Sequence, residues 1–346
     1  MKHQTTRYGE IPFYKIGTFG NTADAFISKK LFLEYRTKYS FPKKGDILIS
    51  ASGTIGRAVI YDGKPAYFQD SNIVWIDNDE TLVKNDFLFY VYSNVKWNTE
   101  YTTILRLYND NFRNTLIPLP PLNEQSAIAN ILSDLDRYLY ALDALILKKE
   151  GVKKALSFEL LSQRKRLKGF NQAWQRVRLG DIANYLTSNL SVEQITQQGK
   201  IKVYDANNFI GYTDTTFISD KPYISIIKDG SVGRVRILPP KTNILSTMGA
   251  LIANHRTTTE FLFYLLSNFD FKNFTSGSII PHIYFKDYKE KTIFLPPLNE
   301  QSTIANILSA LDNEIASLKN KKRQFENIKK ALNHDLMSAK IRVLKK

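Results

Sequence analysis

Leu119-Pro120-Pro121-Leu122-Asn123-Glu124-Gln125-Ser126 recurs as Leu295-Pro296-Pro297-Leu298-Asn299-Glu300-Gln301-Ser302, a shift of 176 residues. The same register carries Ile128-Ala129-Asn130-Ile131-Leu132-Ser133 onto Ile304-Ala305-Asn306-Ile307-Leu308-Ser309, and Lys153-Lys154-Ala155-Leu156 onto Lys329-Lys330-Ala331-Leu332. A period this long is a duplicated domain and not a solenoid. Upstream the match loosens and needs small gaps: Gly53-Thr54-Ile55-Gly56-Arg57 faces Gly230-Ser231-Val232-Gly233-Arg234, and Phe87-Leu88-Phe89-Tyr90 faces Phe261-Leu262-Phe263-Tyr264. The chain is a tandem of two units, each a diverged stretch followed by a repeated one.

The repeated stretches read as helices. Apolar residues at Ile128, Leu132, Leu135, Leu139, Leu142, Ile146, Leu156 and Leu160 keep to one stripe, as do Ile304, Leu308, Leu311, Ile315, Leu318, Phe325, Leu332 and Leu336, with Lys322 interrupting. Neither helix has a core of its own, so each seam is expected to bury the other as an antiparallel coiled coil. Pro120-Pro121 turns the chain out of a preceding strand, Asn123 is expected as the N-cap, and Glu124 complements the helix dipole. A helix from Glu124 to Arg164 would span on the order of 60 Å, the length of a spacer. The plainer alternative is a helical hairpin that merely dimerises.

The diverged stretches are rich in short β-branched and aromatic runs, such as Asp46-Ile47-Leu48-Ile49-Ser50, Tyr223-Ile224-Ser225-Ile226-Ile227 and Thr292-Ile293-Phe294. They should be largely sheet, with helical patches near Phe87–Ser93 and Glu260–Leu266, which makes the fold class α+β. The expected domains are 1–120 and 169–296 as two β-rich heads, with 121–168 and 297–346 as two long spacer helices.

At 346 residues the chain exceeds one ordinary domain. It holds 48 Lys and Arg against 33 Asp and Glu, a net charge of +15, which favours a polyanion such as nucleic acid. With no cysteine, disulfides, thiolate metal sites and cysteine nucleophiles are excluded. No run of 18 apolar residues and no export signal at Met1-Lys2-His3-Gln4 are present, so no membrane partner and a cytoplasmic location are expected.

The duplicated Pro-Leu-Pro-Pro-Leu-Asn-Glu-Gln block, each time opening a long helix behind a β-rich stretch, resembles the specificity subunits of Type I restriction-modification enzymes. Trp174-Gln175-Arg176-Val177-Arg178-Leu179-Gly180-Asp181-Ile182 is similar to the start of a target-recognition domain in that family. The resemblance covers essentially the whole chain. It implies two target-recognition domains reading the halves of a split double-stranded DNA site, with a helix pair fixing the gap. It also implies that those helices dock modification (methyltransferase) subunits, two per chain by pseudo-twofold symmetry, and through them restriction subunits. Such a chain supplies specificity and no chemistry or cofactor; S-adenosylmethionine, ATP and magnesium belong to its partners. One departure stands out: the second head has a lead-in from Trp174 to about Gln198 before Gly199-Lys200-Ile201, whereas the first starts almost at the matching Gly9-Glu10-Ile11, so it reads as shortened at its N-terminal side.

Sequence readout needs donors and acceptors that fit a groove, and affinity needs cations near phosphates. The candidates are Thr54 and Arg57, with Ser231, Arg234 and Arg236, on glycine-bearing strand connections; the polar loop with Ser71 and Asn72; and the aligned stretches holding Thr102 and Arg106, then Ser278 and His282. For each the competing reading is a solvated loop, and for Tyr108 and Tyr284 a core position is favoured. Partner docking and spacing are assigned to Asn123, Glu124, Gln125, Ile128, Leu132 and Leu135, and to Asn299, Glu300, Gln301, Ile304, Leu308 and Leu311. Basic runs such as Arg164-Lys165-Arg166 and Lys321-Lys322-Arg323 read equally as phosphate contacts or as solvated helix faces.

Three other readings compete with this one. A lone methyltransferase fails because leucine before Pro120-Pro121 cannot accept from a target amine. A nuclease built on Asp287, Glu290 and Lys291 has no counterpart in the first unit, and His3, His255, His282 and His334 lack ligand spacing. A coiled-coil scaffold whose heads bind protein, or an inactive shortened specificity subunit, is the alternative function.

Overall fold

Short apolar runs broken by turns fold here into several small sheets on each side of the repeat. The structure is a computed structural model that describes residues 4–68, 72–97 and 106–344. The chain divides into two units, Met1–Asp143 with Asn320–Lys346, and Ala144–Lys319.

In the first unit β1 (Ile11–Tyr14) and β2 (Ala25–Ile27) pair antiparallel, followed by α1 (Lys29–Lys38), β3 (Ile47–Ser50), β4 (Ala58–Ile60), β5 (Tyr67–Phe68) and β6 (Ile73–Trp75). Ser28 accepts from Leu31 N and caps α1. Two three-stranded sheets result, β2-β1-β5 with β5 parallel to β1, and β4-β3-β6 with the wholly buried β3 at its centre. Then come α2 (Asn85–Tyr92), α3 (Asn109–Arg113) and α4 (Leu122–Leu161), which passes into the second unit after Asp143.

The second unit continues with β7 (Gln175–Arg178), β8 (Ala183–Thr187), β9 (Ile201–Tyr204), β10 (Phe209–Thr213), β11 (Tyr223–Ile227), β12 (Val235–Leu238), β13 (Thr242–Ile244), β14 (Met248–Ala253) and α5 (Thr259–Ser267). It closes with β15 (Thr275–Ser276), β16 (His282–Ile283), α6 (Phe285–Tyr288), β17 (Thr292–Leu295) and α7 (Leu298–Met337), which returns to the first unit after Lys319. The sheet β10-β9-β13, again with one parallel pair, repeats β2-β1-β5, and β12-β11-β14 repeats β4-β3-β6. Here β8 adds a fourth strand outside β14, and β7 pairs with β17. Neither β7 nor β8 has a counterpart among the described residues of the first unit.

The heads are α+β, and both expected helical patches are helices, α2 and α5. The long helices differ at their ends from expectation. Each is 40 residues, and α4 stops at Leu161 instead of Arg164. Asn123 and Asn299 sit inside the first turn, where each side chain accepts from the next residue's amide, and the leading cap acceptor is the carbonyl of Pro121 or Pro297. Proline supplies the preset φ that starts the turn, so no side-chain cap is needed.

Every residue of both predicted seams is buried or half-buried. In the first unit Ile128, Ala129 and Leu132 of α4 join Leu336 and Met337 of α7 and Phe87, Leu88 and Val91 of α2 in one core. In the second, Ile304, Ala305 and Leu308 of α7 join Leu160 of α4 and Phe261, Leu262 and Leu265 of α5. The helix segments therefore pack antiparallel within each unit, and each head is welded to them through its own helix.

Candidate nucleic-acid interface and helix clamps

Gly53 and Gly56, and equally Gly230 and Gly233, hold positive φ between 68° and 85°. A β-carbon on Gly56 would lie 2.4 Å from Trp97 Nε1, and one on Gly233 would lie 2.6 Å from Phe271 Cδ2. The second glycine of each pair is thus required twice over, by the turn and by the aromatic ring packed under it. Gly56 N donates to Ser50 O at 3.0 Å and Gly233 N to Ile227 O at 2.9 Å, so both heads make the same connection, β3 to β4 and β11 to β12.

Thr54 and Ser231 are exposed at the tips of these connections. The arginines that follow reach sideways onto a neighbouring hairpin. Arg57 Nη1 donates to Phe19 O at 3.0 Å, in the β1–β2 connection, and Arg234 Nη2 donates to Asn207 Oδ1 at 3.0 Å, in the β9–β10 connection. Arg236 donates to Asn207 O at 2.9 Å and lies 5.2 Å from the Tyr204 ring centre. Both Arg57 and Arg234 stay exposed while anchored, so each presents a fixed cation at the surface of its head.

The stretches nominated before the last strand are brought to the same place. Ser52 bridges Arg106 in the first unit as Asp229 bridges His282 in the second. His282 Nδ1 lies 2.6 Å from Asp229 Oδ1, and Gly230 N donates to Pro281 O at 2.9 Å. Asn72 Oδ1 accepts from Ser52 Oγ at 2.7 Å, which ties that loop to the same cluster. Ser278 is exposed nearby in sequence, whereas Ser71 and Thr102 lie outside the described residues. Tyr108 and Tyr284 are not core: they are 44% and 49% exposed because each starts a short helix, α3 or α6, and the buried position falls to the preceding Leu107 or Ile283.

The residues nominated for docking on the helices act inside their own units. Gln125 Nε2 donates to the carbonyls of Leu82 and Pro120, and its Oε1 accepts from Lys84 N; Gln301 does the same with Arg256, Pro296 and Thr258. Glu124 pairs with Arg342 at 2.5 Å, and Glu300 pairs with Arg166 at 2.7 Å and accepts from Trp174 Nε1 at 3.0 Å. The guanidinium of Arg342 holds the Glu124 carboxyl below the usual carboxylate range. Ile128, Leu132, Ile304 and Leu308 are fully buried in the helix-to-head cores, and Leu135 and Leu311 are half-buried.

A pair of clamps escaped the sequence reading. Tyr90 on α2 donates to Asp136 at 2.9 Å, with Lys329 on the same carboxylate and 5.6 Å from the ring. Tyr264 on α5 donates to Asp312 at 2.9 Å, with Lys153 at 2.5 Å from it and 5.8 Å from the ring. The aligned Lys153 and Lys329 were visible as a repeat, but their partners lie across the fold. Lys322, which interrupts the seam, is answered by Asp143 at 2.7 Å. Glu290 is engaged by Arg178 at 3.1 Å, and among the described residues no cluster of acids and histidines could hold a metal. No helix there is long and apolar enough to cross a membrane.

Residues 1–149 and 171–327 match the family model described as Type I restriction modification DNA specificity domain. A putative type I restriction enzyme specificity subunit of Haemophilus influenzae is 62% identical over 137 residues, 39% of this chain and 36% of that protein. A putative specificity subunit of Methanocaldococcus jannaschii is 28% identical over 339 residues, 86% of this chain and 79% of that protein. Among solved structures, a Type I restriction-modification S subunit from M. genitalium superposes with a TM-score of 0.64 at 20% identity, over 97% of this chain and 91% of that one.

Proposed function

The chain belongs to the family of Type I restriction modification DNA specificity domains, and from that premise we propose that it reads a split double-stranded DNA site, one half per head, for a multisubunit methyltransferase and endonuclease. It is a specificity subunit and carries no catalysis of its own. Two modification subunits dock on its helices, restriction subunits join through them, and S-adenosylmethionine, ATP and magnesium are used by those partners in the cytoplasm.

The observation that carries this reading is the duplication of one device. In each unit a β-rich head presents an anchored arginine, Arg57 or Arg234, beside the cluster of Arg106 or His282, and is fixed to paired helices by the same tyrosine, aspartate and lysine. Fixed cations near polar loop tips suit phosphate contact and groove reading, and rigid attachment to helices would give two half-sites a constant spacing. The net charge of +15 supplies the long-range attraction.

The test is DNA affinity of the chain with its modification partner, titrated with salt. A log–log slope on the order of −5 or steeper is expected, as counterions are released from several phosphates. Affinity that barely changes with salt would favour a protein-binding scaffold instead.

A further inference from the structure

The β11–β12 connection that presents Ser231 and Arg234 also carries an acid, Asp229. Its backbone is pinned on both sides: Ile283 N donates to Lys228 O at 2.9 Å, and Gly230 N donates to Pro281 O at 2.9 Å. Its side chain is pinned as well, because a carboxylate can only accept and His282 Nδ1 lies 2.6 Å from Asp229 Oδ1. The Asp229 and His282 side chains nevertheless stay 30% and 35% exposed. Gly230, next in the chain, has a φ of +85°, and beyond its chain neighbours no atom of the described residues lies within 4 Å of where its β-carbon would stand. A fixed hydrogen-bond acceptor is therefore held beside open space.

The first unit builds the same frame with different chemistry. Leu107 N donates to Ala51 O at 2.8 Å, as Ile283 N does to Lys228 O, and Ser52 bridges Arg106 as Asp229 bridges His282. There the place of the carboxylate is taken by a hydroxyl, which donates to Asn72 Oδ1 at 2.7 Å. A frame kept in both units while the group it presents changes marks the position for discrimination and not for folding. Phosphate contact does not suit Asp229, since like charges repel. A base edge that offers a donor does.

We propose that Asp229 is a specificity-determining residue of the second head, accepting from the N4 amino group of a cytosine in the major groove, with His282 holding the carboxylate in place. The choice of base follows from the donor and acceptor pattern of that groove. Guanine and thymine turn acceptors toward a carboxylate, and adenine sets its N7 acceptor beside its N6 donor, whereas cytosine offers the N4 donor alone. The assignment rests on the DNA reading proposed above and adds to it one residue and one base.

The experiment incubates the full chain and its modification partner with a pool of DNA duplexes of random sequence, and sequences the bound fraction. The wild-type chain is expected to select a split motif with cytosine at a position of one half. Asp229→Asn keeps an acceptor for His282 and adds an amide donor, which suits the N6 and N7 edge of adenine. It is expected to lower the preference for cytosine at that position at least about tenfold in favour of adenine, and to leave the other half of the motif unchanged. Asp287→Asn, which removes the same charge from an exposed residue of the same unit, is expected to leave the whole motif as it is. An unchanged motif with Asp229→Asn, a general loss of affinity with every base preference kept, or the same change from Asp287→Asn would overturn the assignment. A wild-type chain that selects no motif would overturn the DNA reading itself, and the assignment with it.

Discussion

Tyr90 and Tyr264 show how single residues fix a head to its helices. Each phenol is buried and donates to a helix aspartate, and burial, then that hydrogen bond, pushes it well above its ordinary value of 10. Tyr223 is pushed up to about 12, also by burial. In the unfolded chain these phenols ionise near 10, so above that pH the unfolded state loses protons that the native state keeps. Stability is therefore expected to be flat with respect to these groups below pH 10 and to fall as pH rises beyond it, which denaturant titration at stepped pH reads directly. Glu300 has a fully buried side chain, so Glu300→Ala is expected to cost about 2 kcal/mol, discounted because Arg166 still reaches water. Glu124→Ala should cost less, since no indole shares its carboxylate. A denaturation midpoint that moves equally for the two would contradict this asymmetry. The repeat made Glu124, Glu300, Lys153 and Lys329 conspicuous from sequence, but not their partners. Asp136 and Asp312 also obey the shift of 176, but only the fold sets a tyrosine against each.

At the scale of elements, the seams were legible because helical spacing needs only local sequence, and the structure buries the stripe where the spacing put it. Leu132 and Leu308 are 0% exposed at equivalent points of α4 and α7. Leu132→Ala and Leu308→Ala are each expected to destabilise their unit by about 3 kcal/mol, measured by chemical denaturation, and a loss under 1 kcal/mol would mean the core refills the space. The glycine connections were found from sequence but only half understood. They were singled out for the polar and basic residues they carry, whereas Gly56 and Gly233 are also demanded by Trp97 and Phe271 packed beneath them. Gly233→Ala should accordingly unfold or loosen the second head by about 2 kcal/mol from strained φ and the clash with Phe271, whatever ligand is present. Tyr108 and Tyr284 were misjudged because aromaticity suggests burial, while their placement at helix starts turns the rings outward. Strand order was not legible: the parallel pairs β1–β5 and β9–β13 join residues more than thirty apart through partners that no local pattern specifies.

For the whole molecule, duplication is the property from which the proposed function follows, since the repeated helix segments would offer matching surfaces to two copies of one partner. Native mass measurement of the chain co-expressed with its modification subunit is expected to give two modification subunits per chain, and a one-to-one complex would show that the units are not equivalent docks. The family and the two-unit plan were readable from one repeated block. The bases recognised were not, because readout depends on loop conformations that composition and periodicity leave free. The measurement that bears most directly on the central claim is single-molecule methylation sequencing of genomic DNA from cells with and without this gene, the modification partner being present in both. A split motif methylated on both strands that disappears with the gene is the predicted result, and a methylation pattern unchanged by its loss would contradict the proposal that this chain selects the site.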